Sequence, residues 1–341
     1  MTKPASEPKR STRDTTPLLV VRTTNLDPWR NLAVEEYLLD QVEKHRHILF
    51  LWQGDSAVIV GKNQNPWREC RVEQLQAEGA ALARRLSGGG AVFHDKGNLN
   101  FAFFVSRTEY DVARQFDVVL SALRGAGVSA ERMNRNSLAV GGRKVSGSAF
   151  FFRRNAALHH GTVLVSSNLE KLNRYLVPSR HITHTRAVRS QPSPVANLAE
   201  FVPGLSILQM EEIVMEAFRA AYGGAVETVG DEWLAAAEIS TLRAKYASWD
   251  WRFGLTPPFD IAMAGEFDLG HVRVKLYVEE GIITYTGVSI EGRGEAAADL
   301  IEEALRGCPL EEAEIRDCLL GLPPPCDETV ARQMATWIAN V

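Results

Sequence analysis

The chain has 341 residues, 45% of them hydrophobic and 23% charged, the balance expected of a soluble globular protein, and no apolar run approaches the length of a membrane span. At that length one large domain plus a smaller one is expected rather than a single core. The 38 Lys and Arg against 42 Asp and Glu give a formal net charge of -4, which argues against a general nucleic-acid binder. The charge is unevenly spread. From Trp249 onward 17 acidic residues face 7 basic ones, so the preceding part is net positive and suits anionic ligands.

In chain order, residues 1–16 (MTKPASEPKRSTRDTT) lack an apolar stretch and read as a polar disordered tail. Cytoplasm is the expected compartment, with a mitochondrial transit peptide as the alternative should the source be eukaryotic. Leu18 to Arg22 predicts a strand and Asn31 to Val42 a helix, from its apolar spacing at Leu32, Tyr37, Leu38 and Val42. Ile48 to Trp52 and Ala57 to Val60 predict two buried strands, and Glu69 to Glu78 a helix. Ala91 to Phe93 and Leu99 to Val105 predict strands, Asp111 to Gly125 a helix, and Ser137 to Val165 three antiparallel strands. Val177 to Pro203, rich in His, Ser, Pro and Arg, is expected to be a long surface loop. Helices near 207–222 and 231–248 close the large domain. Trp249 to Phe259 reads as a linker, followed by a three-stranded meander and two helices. The fold class is therefore α+β, a mixed-sheet domain over 17–248 flanked by helices, with a small α+β accessory domain over 249–341. Cys70, Cys308, Cys318 and Cys326 show neither a CxxC pair nor zinc spacing and are expected to be reduced.

Two stretches could carry chemistry. In Arg84-Arg85-Leu86-Ser87-Gly88-Gly89-Gly90 a paired cation precedes three consecutive glycines. Such a run is either a plain turn or a place where bare backbone N–H groups face an anion beside a guanidinium. It lacks the Gly-Lys-Ser/Thr ending of a Walker A loop and the spacing of a dinucleotide fingerprint. In Gly142-Arg143-Lys144-Val145-Ser146-Gly147, Lys144 is either surface charge or a pocket cation able to neutralise a carboxylate and a phosphate together. The His159-His160 and His181/His184 pairs lack metal-ligand form, so no metal ligand can be named. His94 and Asp95 are neighbours on a strand and should point to opposite faces. Neither Ser87 nor Ser146 lies in a nucleophile elbow, so a catalytic triad is not expected.

Six ordered blocks resemble the lipoate-protein ligase A family of the biotin/lipoate ligase superfamily: DPWRNLAVEEYLLDQV from Asp27, LFLWQGDSAVIVGKNQNPWREC from Leu49, LARRLSGGGAVFHDKGN from Leu82, GRKVSGSAF from Gly142, HHGTVL from His159 and SWDWRFG from Ser248. The resemblance implies a two-step reaction: lipoate and ATP give lipoyl-AMP and pyrophosphate, and the lipoyl group then passes to a lysine of a small carrier domain. It implies that Arg85, the backbone of Gly90, Ala91, Val92 and Phe93, and Asn136 bind the nucleotide. Lys144 would be the catalytic residue, holding the lipoyl carboxyl and the α-phosphate, while Glu35, Trp52, Leu158 and His160 line the lipoate tunnel. Mg²⁺ is expected with ATP. The implied acceptors are lipoyl domains of 2-oxoacid dehydrogenase acyltransferase subunits or the glycine-cleavage H protein. One position departs from the pattern: the family's Asn-Asp-Leu reads Asn136-Ser137-Leu138 here, so a lipoyltransferase using preformed lipoyl-AMP is the alternative activity.

Overall fold

The computed structural model describes residues 18–43, 47–291, 295–324, 326 and 328–341, so the expected N-terminal tail lies outside the described residues. The chain opens with Leu18–Arg22 (β1) and Pro28–Gln41 (α1), continues through His47–Trp52 (β2), Ala57–Val60 (β3), Pro66–Glu69 (α2), Val72–Ala77 (α3) and Ala81–Arg84 (β4), and passes the glycine run into Val92–His94 (β5) and Asn98–Ser106 (β6). Val112–Gly125 (α4) follows, then four strands, Glu131–Asn134 (β7), Ser137–Val140 (β8), Arg143–Phe152 (β9) and Ala156–Leu164 (β10). Leu169–Tyr175 (α5), Ile182–Thr185 (β11), Ile207–Tyr222 (α6), Val226–Val229 (β12) and Ala236–Ala247 (α7) complete the first part. The rest is Phe259–Phe267 (β13), Gly270–Glu279 (β14), Ile282–Ile290 (β15) and the helices Glu295–Leu305 (α8), Glu312–Leu319 (α9) and Glu328–Ala339 (α10).

The main sheet has eight strands in the order β12-β1-β2-β6-β10-β9-β8-β7. Its central strands read as almost unbroken apolar runs because both faces are covered. On one face Leu49, Phe101, Phe103 and Val163 pack with α4 and α6. On the other, Phe50, Trp52, Ala102, Phe104 and Leu158 pack with α1 and with a small β4-β3-β5 sheet. α1 starts where it does because Asp27 caps it, accepting from the Trp29 and Arg30 N–H groups with Pro28 at the first turn. That fixes the face on which Glu35 looks toward the sheet.

Several elements differ from the sequence expectation, for reasons of tertiary pairing. β4, β7 and β12 are only four residues long, and each is held by a neighbouring strand: β3, β8 and β1 respectively. The helix expected over Glu69 to Glu78 is two short helices broken at the extended Cys70. The expected surface loop 177–203 contains β11, which pairs with β13 and becomes the edge of the accessory sheet β11-β13-β14-β15. Three helices, not two, follow the meander. The accessory core is continuous with the large domain, since Val272, Leu276 and Ile301 belong to the same packed cluster as Val58, Trp67, Phe93 and Tyr175. The cysteine expectation is corrected: Cys308 and Cys318 form a disulfide, brought together because the intervening α9 folds back over the end of α8, a proximity that no motif spacing signals. Cys70 and Cys326 lie outside that disulfide and are buried.

Candidate active site

The two arginines at the end of β4 part ways because successive residues of an extended chain face opposite sides. Arg84 is fully buried and donates to the carbonyls of Gly61, Lys62, Gln64, Trp251 and Arg252 and to Thr256 Oγ1, at 2.7 to 3.2 Å. It fastens the 248–256 turn to the large domain. Arg85 turns the other way, into a cavity of about 530 Å³ between the main sheet, the small sheet and residues 188–194. Its Nη2 donates to Gly88 O (2.7 Å) and Gly90 O (2.8 Å), Nη1 to Ile59 O (3.1 Å) and Nε to Ser87 Oγ (3.0 Å). The guanidinium therefore shapes the glycine run, whose carbonyls turn toward it. Gly89 must be glycine there: φ is 91°, and a Cβ would lie 3.0 Å from Arg85 Nη2. Burial pushes both guanidinium pKa values down to about 10, and both remain charged at neutral pH.

Lys144 also lines the cavity. Its strand, β9, runs beside Val195, with the Lys144 N–H donating to Pro194 O (2.8 Å). The side chain lies along Gly147, where a Cβ would meet Cε and Nζ at 2.6 Å, so glycine leaves room for the ammonium in this position. Among the described residues Lys144 forms no ion pair. Burial, and secondarily the Arg85 charge, lowers its pKa. Two cations thus share one cavity whose lining carboxylate, Glu35, is engaged by Trp52 and His160, an arrangement that leaves room for an anion. Ser137 pairs with Gly147 across β8 and β9, so the position where the family carries aspartate lies at the Lys144 ammonium.

A buried hydrogen-bonded chain runs along the opposite wall. Trp52 Nε1 donates to Glu35 Oε1 (3.1 Å), Glu35 Oε2 lies 2.7 Å from His160 Nδ1, and His160 Nε2 lies 2.6 Å from Ser87 Oγ. Arg85 Nε also donates to Ser87 Oγ, so the hydroxyl links the guanidinium to the imidazole. Sequence reasoning missed this Ser-His-Glu arrangement, whose members lie 52 to 125 positions apart in sequence. Its hydroxyl is spent between Arg85 and His160, and the chain acts to set the glycine run against the sheet.

Of the residues expected at the site, Glu35, Trp52, Arg85, Gly90, Ala91, Val92, Asn136, Lys144 and His160 line the cavity. Phe93 and Leu158 do not. Strand alternation turns Phe93 toward Tyr175 (ring centroids 5.6 Å apart), and Leu158 is wholly buried beneath the cavity floor in the cluster of Trp52 and Phe104. Sequence reasoning missed a cap over the glycine run. Ser190 Oγ accepts from Ala91 N (2.8 Å) and Gln64 Nε2 (3.0 Å), while Ser190 N donates to Glu69 Oε2 (3.0 Å). Its segment carried only the signal of an unusually long polar loop. His94 and Asn100, also missed, line the inner wall. His159 points to the other face, with Nδ1 3.1 Å from Gln115 Oε1, and no group of three or more His, Cys, Asp or Glu suited to a metal occurs among the described residues.

The family model described as the lipoyl protein ligase A/B catalytic domain matches residues 27–219, more than half of the chain. The chain belongs to that family. A second model, for the bacterial lipoate protein ligase C-terminus, matches residues 256–330. Among solved structures the chain is similar to P. falciparum LipL1 in complex with lipoate, at 25% identity and TM-score 0.62, with 95% of this chain and 100% of that one covered. It is also similar to a lipoate-protein ligase A bound with ATP, at 26% identity and TM-score 0.57, over 70% of this chain and 99% of that one. A bi-partite lipoate protein ligase of Thermoplasma acidophilum, described together with its E2 lipoyl domain, shares the fold at 24% identity and TM-score 0.59, over 71% and 97%. The enzyme is of lipoate-ligase type, on a large mixed sheet flanked by helices with a C-terminal domain.

Proposed function

We propose that the protein is an ATP-dependent lipoate-protein ligase. The observation that carries this reading is the Lys144 ammonium seated on Gly147, unpaired, in the same cavity as Arg85 and the glycine run. A carboxylate and a phosphate are both anions and repel; a cation between them brings them together and stabilises the charge that develops as they react. Lys144 would hold one oxygen of the lipoate carboxylate and one of the α-phosphate. A carboxylate oxygen then forms a bond to phosphorus as the α–β phosphoanhydride breaks, and pyrophosphate leaves. In the second step the carrier lysine, as the neutral amine, attacks the acyl carbonyl; the acyl carbon–oxygen bond of the mixed anhydride breaks, AMP leaves, the nitrogen gives up a proton to solvent and an amide remains. No enzyme nucleophile is required, which agrees with Ser87 being held between Arg85 and His160. The ATP-bound and lipoate-bound relatives support ATP and lipoate as substrates, and the relative described together with its E2 lipoyl domain supports a lipoyl-domain acceptor, of a 2-oxoacid dehydrogenase acyltransferase or a glycine-cleavage H protein.

A resident Mg²⁺ does not fit the donors present. The cavity's carboxylate, Glu35, is already bound to Trp52 and His160, and Ser137 offers no charge. Mg²⁺ would arrive on the triphosphate, as part of the substrate. That same Ser137 favours a second reading, a transferase that accepts preformed lipoyl-AMP and adenylates poorly. Pyrophosphate release on mixing protein, lipoate and Mg·ATP without a carrier separates the two. The ligase reading expects release that falls by at least about 10³-fold in Lys144→Ala, the scale of losing a preorganised charge at the reacting centre. Wild-type release no greater than that of the variant, with transfer from lipoyl-AMP intact, would establish the transferase instead.

A further inference from the structure

Two side chains that line the cavity carry polar atoms with no partner among the described residues. His94 is 4% exposed, and neither Nδ1 nor Nε2 has a partner; Asn100 is 3% exposed, and its Nδ2 has none, although its Oδ1 accepts from Asn98 Nδ2 at 3.0 Å. Both line the cavity on either side of Trp52. The His94 ring stands edge-on to the indole at 5.3 Å, and Asn100 lies directly opposite Trp52 in the β2–β6 pairing. Burial, then the Arg85 and His160 charges, pushes the His94 pKa down to about 3, so the imidazole is neutral and offers one N–H and one lone pair. Buried polar groups are normally paired, and two unpaired ones facing the same hollow imply that its occupant pairs them.

Their position says which part of the occupant they meet. Asn100 pairs with Thr162, and Thr162 with Gly147, on which the Lys144 ammonium rests. Two strand spacings, about 10 Å, separate the two ends. That matches an extended octanoyl-length chain whose carboxyl is held at Lys144. Glu35 and His160 on the adjoining wall already satisfy each other, Trp52 and Ser87, and ask nothing of the ligand.

Resting on the ligase reading, we propose that His94 and Asn100 determine acyl specificity, favouring an acid whose far end carries a dithiolane over a plain fatty acid of the same length. The ring sulfurs accept N–H bonds, weakly, and make favourable contacts with the Trp52 indole. A terminal methyl does neither and seals off the His94 and Asn100 donors unpaired. A site built to bond a group discriminates against the analogue lacking it, because its own polar atoms are then stranded.

The test is calorimetric titration of the full chain with lipoate and with octanoate, alongside ¹⁵N spectra of the histidine-labelled wild type. Wild type is expected to bind lipoate roughly tenfold more tightly, the scale of the cost of stranding one buried donor against a methyl. His94→Phe and Asn100→Leu should each bring the ratio toward one, and the His94 ring ¹⁵N signals should move with lipoate and much less with octanoate. Equal affinities in wild type, or His94 signals indifferent to which acid is bound, overturn the proposal without recourse to any variant. An unchanged ratio in His94→Phe does the same. A wild type that binds neither acid overturns the ligase reading, and this inference with it.

Discussion

Arg84 and Arg85, and likewise His159 and His160, are adjacent in sequence but lie in different chemical environments. Arg84 and His159 belong to the architecture. One spends its donors on backbone carbonyls, and the other sits among Phe101, Phe103, Phe116 and Phe150, with ring centroids 4.7 to 5.7 Å away. Arg85 and His160 face the cavity and shape it. The two-residue period of extended chain does this sorting, so one doublet supplies both a clamp for the fold and a wall for the site. Charge and residue type alone could not have told the members apart.

The comparison breaks most sharply at Arg84. In Arg84→Met the carbonyls of Gly61, Gln64 and Arg252 lose a charged donor in a place water does not reach. We expect a loss of about 3–5 kcal/mol in urea or thermal unfolding. Turnover per folded molecule should change little. Arg85→Met should do the reverse, with adenylation nearly abolished and a smaller loss of stability. If Arg84→Met instead left stability intact and abolished adenylation, the division between the two arginines would be wrong.

His159 tests the same division through pH. Burial, with His160 and Arg132 adding to it, pushes its pKa from 6.5 down to about 3, whereas the unfolded chain titrates at the ordinary value. Between those two values the unfolded state binds a proton that the folded state refuses. Stability should therefore be flat above about pH 6.5 and decline as pH falls below it. His159→Leu should remove about 2 kcal/mol of the difference between pH 7.5 and pH 5, measured as denaturation midpoints. His94 adds a parallel slope of the same sign, since burial pushes its pKa down to about 3 as well, so the comparison is between wild type and His159→Leu. A variant with the wild-type acid limb would mean that His159 charges freely in the fold.

The parts that sequence made legible are those where one short stretch holds the whole feature. The glycine run beside Arg85, and Lys144 with Gly147 three residues on, are local, and their residue types are tied to backbone conformation and close approach. The main strands were legible because burial on both faces writes an apolar run. What was not legible depends on partners far along the chain. β11 joins β13 across about 75 residues of sequence, and the Glu35–His160–Ser87 chain draws on a helix, a strand and a loop. The disulfide needed the path of α9, and only strand parity shows that the Phe93 side chain turns toward Tyr175.

Ser190 offers the smallest and most local test, because it sets the nucleotide end of the cavity against the acyl end. Its hydroxyl is a single oxygen that accepts from the Ala91 N–H and the Gln64 amide, and its own N–H ties the 188–194 segment to Glu69. Ser190→Ala leaves Ala91 N without that partner and frees the cap from the glycine run, a change of about 1 kcal/mol. We expect the KM for ATP to rise about fivefold, with the melting temperature and lipoate affinity nearly unchanged. The selectivity is the informative part. The cap bonds the run where the phosphates would lie and touches none of Trp52, His94 or Asn100, so a loss of lipoate affinity equal to the loss for ATP would mean that the two ends of the cavity are coupled through the glycine run and Arg85.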